Sequence, residues 1–314
     1  MVESGPIIDH ARELGFELAG VCDASLPRSI DAYRDWLGRG MAGEMNYLVR
    51  HADLRADPAS LLVGVKSIIA VGLPYGQPAL KRPGYPRIAR YALGRDYHKV
   101  IRGKLRRLQA RLATDHPEAG FRICVDSAPI LEREFAQRAG LGWFGKNTML
   151  IDSRRGSWFL IGLLLTTLEI DPSQPAEGGC GTCSACIDAC PTGAIVWLES
   201  GSRWAVDART CISYLTIENP AAADARIGDW TFGCDVCQEV CPFNAPRESQ
   251  PIRARDTVER DFLAHRPIVG LTLEQIARLS PAEWDGATQG SPIRRSGYEG
   301  LRRVISINRD NAEG

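Results

Sequence analysis

The chain has 314 residues, enough for about two domains at roughly 150 residues each. Hydrophobic residues make up 44% of it and charged residues 24%, the balance of a globular protein that buries a core. Lys plus Arg equals Asp plus Glu at 38 each, which excludes a protein that binds nucleic acid through its overall charge. The first residues, MVESGPIIDHARELGF, lack the apolar region and the twin arginine of an export signal, and this predicts a cytoplasmic protein.

The first 170 residues carry alternating helix and strand signals. GPIIDHARELGFELAGV, preceded by Ser4, predicts a helix and then a strand. SLLVGVKSIIAVGLPY predicts a buried strand that ends at Pro74, and FRICVD predicts another strand. SAPILEREFAQRAG predicts a helix with Ser127 near its start and Gly140 as its stop. We therefore expect an α/β or α+β domain over residues 1–170.

The most apolar stretch, WFLIGLLLTTLEI, begins at Trp158 and is about thirteen residues long. A helix needs ~20 apolar residues to cross a bilayer, so we expect a buried strand and no membrane partner. The proline- and glycine-rich DPSQPAEGG that follows predicts a domain boundary. We expect a cluster-binding module over residues 171–250 and a short helical C-terminal region over 251–314.

Eight of the ten cysteines are confined to one segment of the chain, between Cys180 and Cys241. An extracellular disulfide scaffold spreads its cysteines over a small domain, so this confinement indicates metal binding. The first run reads C-x2-C-x2-C-x3-C-P and the second ends in C-x2-C-x3-C-P, with no histidine between them. Three thiolates on one tight loop, with a fourth beside a proline, are typical of a cubane iron–sulfur cluster. A structural zinc module is the alternative.

In two-cluster ferredoxins the fourth cysteine of each run serves the other cluster. That rule predicts two [4Fe–4S] clusters, one on Cys180, Cys183, Cys186 and Cys241, the other on Cys190, Cys211, Cys234 and Cys237. The second set departs from a plain ferredoxin, because Cys211 lies 23 residues before Cys234. The two remaining cysteines, Cys22 and Cys124, stand in apolar surroundings and are predicted core residues.

Asp126 ends an apolar strand and precedes a predicted helix, a place where sheets carry working residues. The alternative is a helix N-cap. The two roles make opposite demands on the pKa. A helix N-terminus lowers the pKa of a carboxyl group, whereas a proton donor at neutral pH needs a raised pKa, which burial against a large apolar cofactor would provide. Both roles stay open on sequence alone.

From about residue 10 to residue 305 the chain resembles the epoxyqueuosine reductases of tRNA modification. The resemblance is carried by both cysteine runs and by the segments GEMNYL, RADP, RYALGRDYHKV, DSAPILERE, GWFGKNTMLI and GSPIRRSGYEGLRR. It implies a nitroreductase-like cobalamin-binding domain, followed by a two-cluster ferredoxin-like module and a short helical C-terminal segment. It also implies that the epoxide of epoxyqueuosine is reduced to the alkene of queuosine at the wobble base of tRNA.

The resemblance further implies that a cobalamin lies between the N-terminal domain and the cluster module, with Asp126 as the proton donor. The cobalamin contacts that we expect are Arg55, Tyr97, His98, Lys146, Asn147, Thr148 and Ser213. An external electron donor of the flavodoxin or ferredoxin type is also expected. A monomer is the simplest expectation for the oligomeric state.

Basic runs support an RNA substrate in spite of the neutral net charge. HKVIRGKLRRLQAR contains no acidic residue, and a second basic group lies near the C-terminus. The predicted phosphate contacts are Lys104, Arg106, Arg107, Arg226, Arg294 and Arg295. A solvated helix face is the alternative for the first run.

Two other functions compete with this one. Reductive dehalogenases also pair cobalamin with two clusters, but they are exported with a twin-arginine signal that is absent from the start of this sequence. A non-catalytic electron-transfer protein would use the clusters alone and would need no cobalamin.

Overall fold

The computed structural model describes residues 1–200, 202–219, 225–245, 254 and 256–313. Its strands are β1 (Leu18–Asp23), β2 (Ser67–Pro74), β3 (Arg87–Ile88), β4 (Phe121–Cys124), β5 (Trp143–Phe144), β6 (Leu150–Ile151), β7 (Phe159–Thr166), β8 (Ile195–Leu198), β9 (Arg203–Val206) and β10 (Trp230–Phe232). Its α-helices are α1 (Ser4–Glu13), α2 (Ile30–Gly38), α3 (Asn46–Arg50), α4 (Ala52–Ala56), α5 (Tyr97–Asp115), α6 (Glu132–Arg138), α7 (Ala185–Asp188), α8 (Ile212–Ile217), α9 (Val236–Glu239), α10 (Leu273–Ala277), α11 (Pro281–Thr288) and α12 (Tyr298–Glu313). Short 3-10 turns lie at Pro58–Ser60, Arg90–Ala92, Ala208–Thr210, Ala225–Ile227, Pro242–Asn244, Arg260–Phe262, Pro267–Gly270 and Pro292–Ser296.

A four-stranded sheet in the order β1-β2-β7-β4 forms the centre of the first 170 residues. Every neighbouring pair in this sheet is antiparallel. The domain is therefore α+β, and the α/β alternative, which needs parallel strands, is wrong. The predicted strand ending at Pro74 and the strand within FRICVD are confirmed as β2 and β4.

The apolar stretch from Trp158 is confirmed as a buried strand, because β7 lies in the interior of the sheet between β2 and β4. One face of the sheet packs on α5, which presents Ile101, Leu105 and Leu108 at helical spacing. Gly162 of β7 allows this close approach, since a Cβ there would lie 2.6 Å from the Ile101 side chain. Among the described residues no helix is both long and apolar enough to cross a bilayer.

The helix predicted with Ser127 near its start begins instead at Glu132. The residue before a proline is disfavoured in the helical region, and Pro129 follows Ala128 in this segment. Residues 126–131 therefore form an irregular loop between β4 and α6. The predicted stop at Gly140 is confirmed, because α6 ends at Arg138 and Gly140 has a φ of 87°.

The cluster segment and the C-terminal helices share a hydrophobic core with the first domain. β10 pairs parallel with β3, although about 140 residues separate them in the chain. Ile88 of β3, Phe232 of β10 and Leu301 of α12 belong to one buried cluster. A two-residue strand cannot stand alone in water, so this shared core holds the segments together. The predicted boundaries near residues 170 and 250 stay a prediction.

Candidate active site

The eight cysteines of the two runs form two groups, and within each group the cysteines are close enough to shift one another's pKa. Burial raises the pKa of Cys186 to about 11, and the neighbouring Cys180 and Cys241 raise it further. Burial likewise raises the pKa of Cys234 to about 12, with added effects from Cys211 and Cys190. These are the two sets that the sequence predicts as cluster ligands. Thiols that hold their protons so firmly need the charge of bound iron to become thiolates.

The first group lines a cavity of about 320 Å³, measured to its open mouth, between the cysteine loops and β6. Its lining residues are Cys180, Cys183, Cys186, Cys241, Lys146, Asn147, Ile151, Ala185, Pro242 and Phe243. In the part of the chain that the structure describes, no three His, Cys, Asp or Glu side chains converge closely enough for a single metal ion. A zinc site would require such a convergence, whereas a cubane cluster separates its thiolates around a larger cage.

Trp143 adds a second reason for a cluster at this cavity. Its indole ring packs with Cys241 and Cys180, and its Nε1–H is buried without a partner among the described residues. A buried donor of this kind normally has an acceptor. The inorganic sulfides of a cluster held by the first group would supply acceptors. The residues therefore fit an iron–sulfur cluster.

The turn between β5 and β6 joins both cysteine loops. Lys146 Nζ donates a hydrogen bond of 2.9 Å to the carbonyl oxygen of Cys183, in the first run. Asn147 is buried, and its Nδ2 donates over 3.2 Å to the carbonyl oxygen of Cys237, in the second run. The two side chains predicted to contact cobalamin are thus placed against the cluster loops. Their distance to a cobalamin stays a prediction.

Thr148 ends this turn with a φ of 63°, and its carbonyl oxygen accepts a hydrogen bond of 2.5 Å from Arg133 of α6. Of the other predicted cobalamin contacts, Arg55 is buried and donates over 3.2 Å to the carbonyl oxygen of His51. Ser213 is half-buried in the first turn of α8. These residues lie on separate elements, and their contact with a cobalamin stays a prediction.

Asp126 lies in the irregular loop after β4, with a φ of 51°. Its Oδ2 accepts a hydrogen bond of 2.8 Å from Tyr97 Oη and lies 3.0 Å from His98 Nε2. Its backbone N–H donates to the carboxylate of Glu132. The helix-cap alternative is wrong, since α6 begins six residues later, after Leu131. The side chain is 58% exposed.

His98 stands between two carboxylates at the start of α5. Its Nδ1 lies 2.8 Å from Asp96 Oδ1, and the same oxygen accepts the His98 backbone N–H at the helix N-cap. Burial opposes protonation of the ring, but the hydrogen bonds to Asp126 and Asp96 outweigh it and raise the pKa of His98 to about 9. The ring is therefore an imidazolium at neutral pH.

The two carboxyl groups on this loop have opposite pKa shifts. Crowding by protein atoms opposes ionisation of Asp126, yet the hydrogen bond and positive charge of His98, together with the Tyr97 hydroxyl, hold its pKa below the usual value. Burial raises the pKa of Glu132 to about 8, and the Asp126 charge adds to the effect. Asp126 is thus ionised at rest, and the proton is held by its neighbours.

Groups from all three parts of the chain lie near Asp126. Burial raises the pKa of Tyr47, and the charges of Glu218, Arg295 and Asp126 are close enough to act on it as well. Arg295 makes two hydrogen bonds with the Glu218 carboxylate and lies 5.6 Å from the centre of the Tyr47 ring. Burial also raises the pKa of Tyr91, and the Asp126 charge raises it further. Half-buried tyrosine rings beside the Asp126 carboxylate suit a large planar cofactor such as a corrin.

The predicted phosphate contacts differ in their availability. Lys104 is a correction: its Nζ points inward to Glu259 at 2.8 Å and the Leu14 carbonyl oxygen at 2.9 Å, so it is not free for a phosphate. Arg294 and Arg295 are ion-paired with Asp285 and Glu218. The exposed members of the set are Arg106, Arg107 and Arg226.

A second cleft, of about 1050 Å³ to its open mouth, lies beside the start of α5. Its lining residues are Arg95, Asp96, His98, Lys99, Arg102, Gly103, Arg106 and Ser127. Neither Asp96 nor Glu132 was predicted from the sequence as a site residue. The Asp-x-His spacing at a helix start was the available signal for Asp96, whereas no local signal singled out Glu132.

Two family models match the parts of the chain that carry these residues. Residues 55–127 match the family described as epoxyqueuosine reductase QueG, DUF1730, and residues 179–244 match the 4Fe-4S double cluster binding domain. The epoxyqueuosine reductase of Xanthomonas campestris pv. campestris is 42% identical over 97% of this chain and 85% of its own. This chain belongs to the epoxyqueuosine reductase family. The Escherichia coli enzyme is 41% identical over 96% of this chain and 79% of its own.

Solved structures agree with this membership. An epoxyqueuosine reductase in complex with an epoxyqueuosine-modified tRNA-Tyr stem loop matches with a TM-score of 0.83 and 27% identity, over 96% of this chain and 80% of that chain. The Streptococcus thermophilus epoxyqueuosine reductase matches with a TM-score of 0.84 and 25% identity, over 98% of this chain and 81% of its own. The cofactors of the family are two [4Fe–4S] clusters and a cobalamin.

Proposed function

We propose that the protein reduces epoxyqueuosine to queuosine at the wobble position of tRNA, the last step of queuosine biosynthesis. The observation that carries the proposal is the exposed Asp126 carboxylate, which is held by Tyr97 and His98. Relatives matched along nearly the whole chain are epoxyqueuosine reductases, so neither a dehalogenase-like reductase nor a non-catalytic electron carrier is proposed.

The reaction consumes two electrons and two protons, because the epoxide loses its oxygen as water and leaves an alkene. The eight cysteines hold two one-electron carriers, with Cys180, Cys183, Cys186 and Cys241 as one ligand set and Cys190, Cys211, Cys234 and Cys237 as the other. A cobalamin bound beside Asp126 would supply the reducing centre for the epoxide. Arg55, Ser213 and the β5–β6 turn are its proposed contacts, together with Tyr97 and His98.

Asp126 is the proposed proton donor to the epoxide oxygen. Tyr97 fixes one side of the carboxylate through its hydroxyl, and His98 supplies positive charge and a proton on the other. Asp126 has a left-handed backbone with a φ of 51°, a strained conformation of the kind that clusters at active sites. An epoxyqueuosine reductase from Bacillus subtilis has been solved with its catalytic loop swung out of the active site, and it matches this chain with a TM-score of 0.83 and 27% identity. We infer that residues 126–131 form the corresponding loop.

The tRNA is the proposed partner, because the matched complex holds an epoxyqueuosine-modified stem loop. We further propose that the enzyme acts as a monomer in the cytoplasm and takes electrons from a flavodoxin- or ferredoxin-type donor. For the first domain we propose a nitroreductase-like arrangement, supported by its antiparallel sheet with helices on both faces.

The test is conversion of epoxyqueuosine-containing tRNA by protein prepared without oxygen, reconstituted with cobalamin and chemically reduced. The modified nucleoside is followed by mass, and loss of one oxygen is the expected result. Asp126→Asn should slow the reaction about 10²- to 10⁴-fold, the usual contribution of a positioned proton donor. Asp115→Asn, a surface aspartate paired with Arg111, is the matched control and should convert normally. A parent protein with intact clusters and bound cobalamin that removes no oxygen would overturn the proposal.

A further inference from the structure

The reaction consumes two protons, but the Asp126 carboxyl group carries at most one at a time. This inference rests on the proposed function. The Asp126 side chain is exposed, and a tRNA nucleotide bound over it would cover its exposed side, so a second proton would have to come through a neighbouring group. Asp126 is also ionised at rest, and even the first proton therefore has to come from a neighbouring group.

His98 is in direct contact with the Asp126 carboxylate. His98 Nε2 lies 3.0 Å from Asp126 Oδ2, and His98 Nδ1 lies 2.8 Å from Asp96 Oδ1. An ionised carboxylate only accepts hydrogen bonds. Both ring nitrogens therefore have to donate, and the ring between these two carboxylates carries a proton on each nitrogen.

His98 also has its own access to water. The second cleft is lined by His98 and Asp96 together with Ser127, the residue next to Asp126. It is open to solvent and lies beside α5, so a nucleotide that covers the exposed side of Asp126 leaves a second route to the ring. We propose that His98, oriented by Asp96, holds the proton that Asp126 delivers and is reloaded from this second cleft.

The transfer is balanced in atoms and charge. The Nε2–H bond of His98 breaks as an O–H bond forms on Asp126, which then breaks as the proton bonds to the departing oxygen of the substrate. The neutral ring keeps its Nδ1–H on Asp96, so Nε2 is the nitrogen left to take a new proton from hydronium in the cleft. Two such cycles supply the two protons, and the clusters supply the two electrons.

Both acidic and basic groups surround His98. On the Asp126 side stand Tyr97, Glu132 and Arg133. On the Asp96 side the second cleft carries the cations Lys99, Arg95 and Arg102. Arg95 is neutralised by Asp261 at 3.0 Å, and Arg102 donates to the Ser127 hydroxyl at 3.0 Å. The two carboxylates in direct contact with the ring dominate, which agrees with the raised pKa of His98, about 9.

The first measurement is an NMR titration of the histidine rings in the protein as isolated, which needs no substrate. The chain has five histidines, and the His98 resonance is the one that His98→Gln removes. We expect it to titrate near pH 9 and to move to lower pH in Asp126→Asn and in Asp96→Asn. Asn is as good a helix N-cap as Asp, so Asp96→Asn keeps the start of α5. A His98 resonance that titrates near the ordinary histidine value of 6.5 would overturn the proposal.

The second measurement is the single-turnover rate of tRNA conversion between pH 6 and pH 10. The parent rate should fall as pH rises through about 9, where His98 loses its proton. In His98→Gln the falling limb should move to lower pH, with a loss of about tenfold to a hundredfold at pH 8 that narrows at pH 6. Asp96→Asn should move the limb in the same direction. His10→Gln, which removes a histidine paired with Glu13 on the surface of α1, should leave the profile unchanged.

The outcomes separate the two proposals. A His98→Gln variant slowed equally at every pH would show a merely structural role and overturn the relay alone. A parent protein that converts no tRNA at any pH would overturn the proposed function and the relay with it. A shifted falling limb in both variants, with an unchanged His10→Gln profile, supports the relay.

Discussion

Glu132 is a single residue beside the Asp126 carboxylate whose ionisation makes the stability of the fold depend on pH. Burial raises its pKa to about 8, from an ordinary value near 4.5, so folding disfavours its ionised form. The folded pKa lies above the unfolded one, and the stability that the protonated group contributes is therefore full below pH 4.5 and lost as pH rises through about 8. Glu132→Gln keeps an acceptor for the Asp126 N–H without the charge.

We therefore expect Glu132→Gln to raise the unfolding temperature relative to the parent at pH 9 and to leave it nearly unchanged at pH 5. Glu132 is partly buried and keeps some contact with solvent, so the gain should be about 1–2 kcal/mol, less than the pKa shift alone implies. Thermal unfolding at the two pH values measures it, with Glu13→Gln on the surface as control. An equal change at both pH values would show that the raised pKa is not its cause.

At the scale of elements, the β5–β6 turn belongs to a short hairpin that contacts both cysteine loops. Lys146 hydrogen-bonds the first cysteine loop and lines the cavity of the first cysteine group. A positive charge stabilises the more negative, reduced form of a cluster. Lys146→Met should therefore shift the reduction potential of that cluster to more negative values, and shift the other cluster less.

An anaerobic redox titration followed by electron paramagnetic resonance measures both potentials. Lys66→Met is the matched control, because Lys66 is exposed and faces Glu169 on the surface, and it should change neither potential. Equal potentials in Lys146→Met and the parent would show that solvent or another charge screens the lysine from the cluster.

Elements differ in how far the sequence predicted them. β2 and β7 were predictable because long apolar runs have to be buried, and the interior of a sheet buries them on both faces. The start of α6 at Glu132 was missed because a serine suggested a cap, while Pro129 two residues on disfavoured the helix. The pairing of β3 with β10 was beyond local reasoning, since neither strand is longer than three residues and their partners are remote in sequence.

The same limit applies to the site. The spacing of the eight cysteines predicts them as ligands, and the place of Asp126 after a strand predicts a working residue; both stay predictions. The roles of basic residues were not predictable, because a helical run says which residues are cationic but not which face they occupy. Lys104 and Arg106 differ by two positions on α5, yet Lys104 is paired with Glu259 inside while Arg106 is exposed.

At the scale of the whole molecule, a neutral chain has to bind a polyanion through local patches. Arg106 lies eight residues after His98 on α5, about 12 Å along the helix, at the other end of the second cleft. It has no ion pair among the residues that the structure describes, so its charge is available to a phosphate. Each phosphate contact contributes about 0.9 to the slope of log affinity against log salt concentration for duplex nucleic acid, and about 0.7 for single strands.

We expect Arg106→Gln to weaken binding of a tRNA anticodon stem loop and to reduce that slope by a little under one. Affinity measured at several potassium chloride concentrations gives both quantities. Arg111→Gln is the matched control on the same helix, because Arg111 is already paired with Asp115 at 3.4 Å and should change the slope little. Identical slopes for the two variants would place the phosphate backbone away from α5, and the RNA path would then have to follow the exposed Arg226 of the cluster segment.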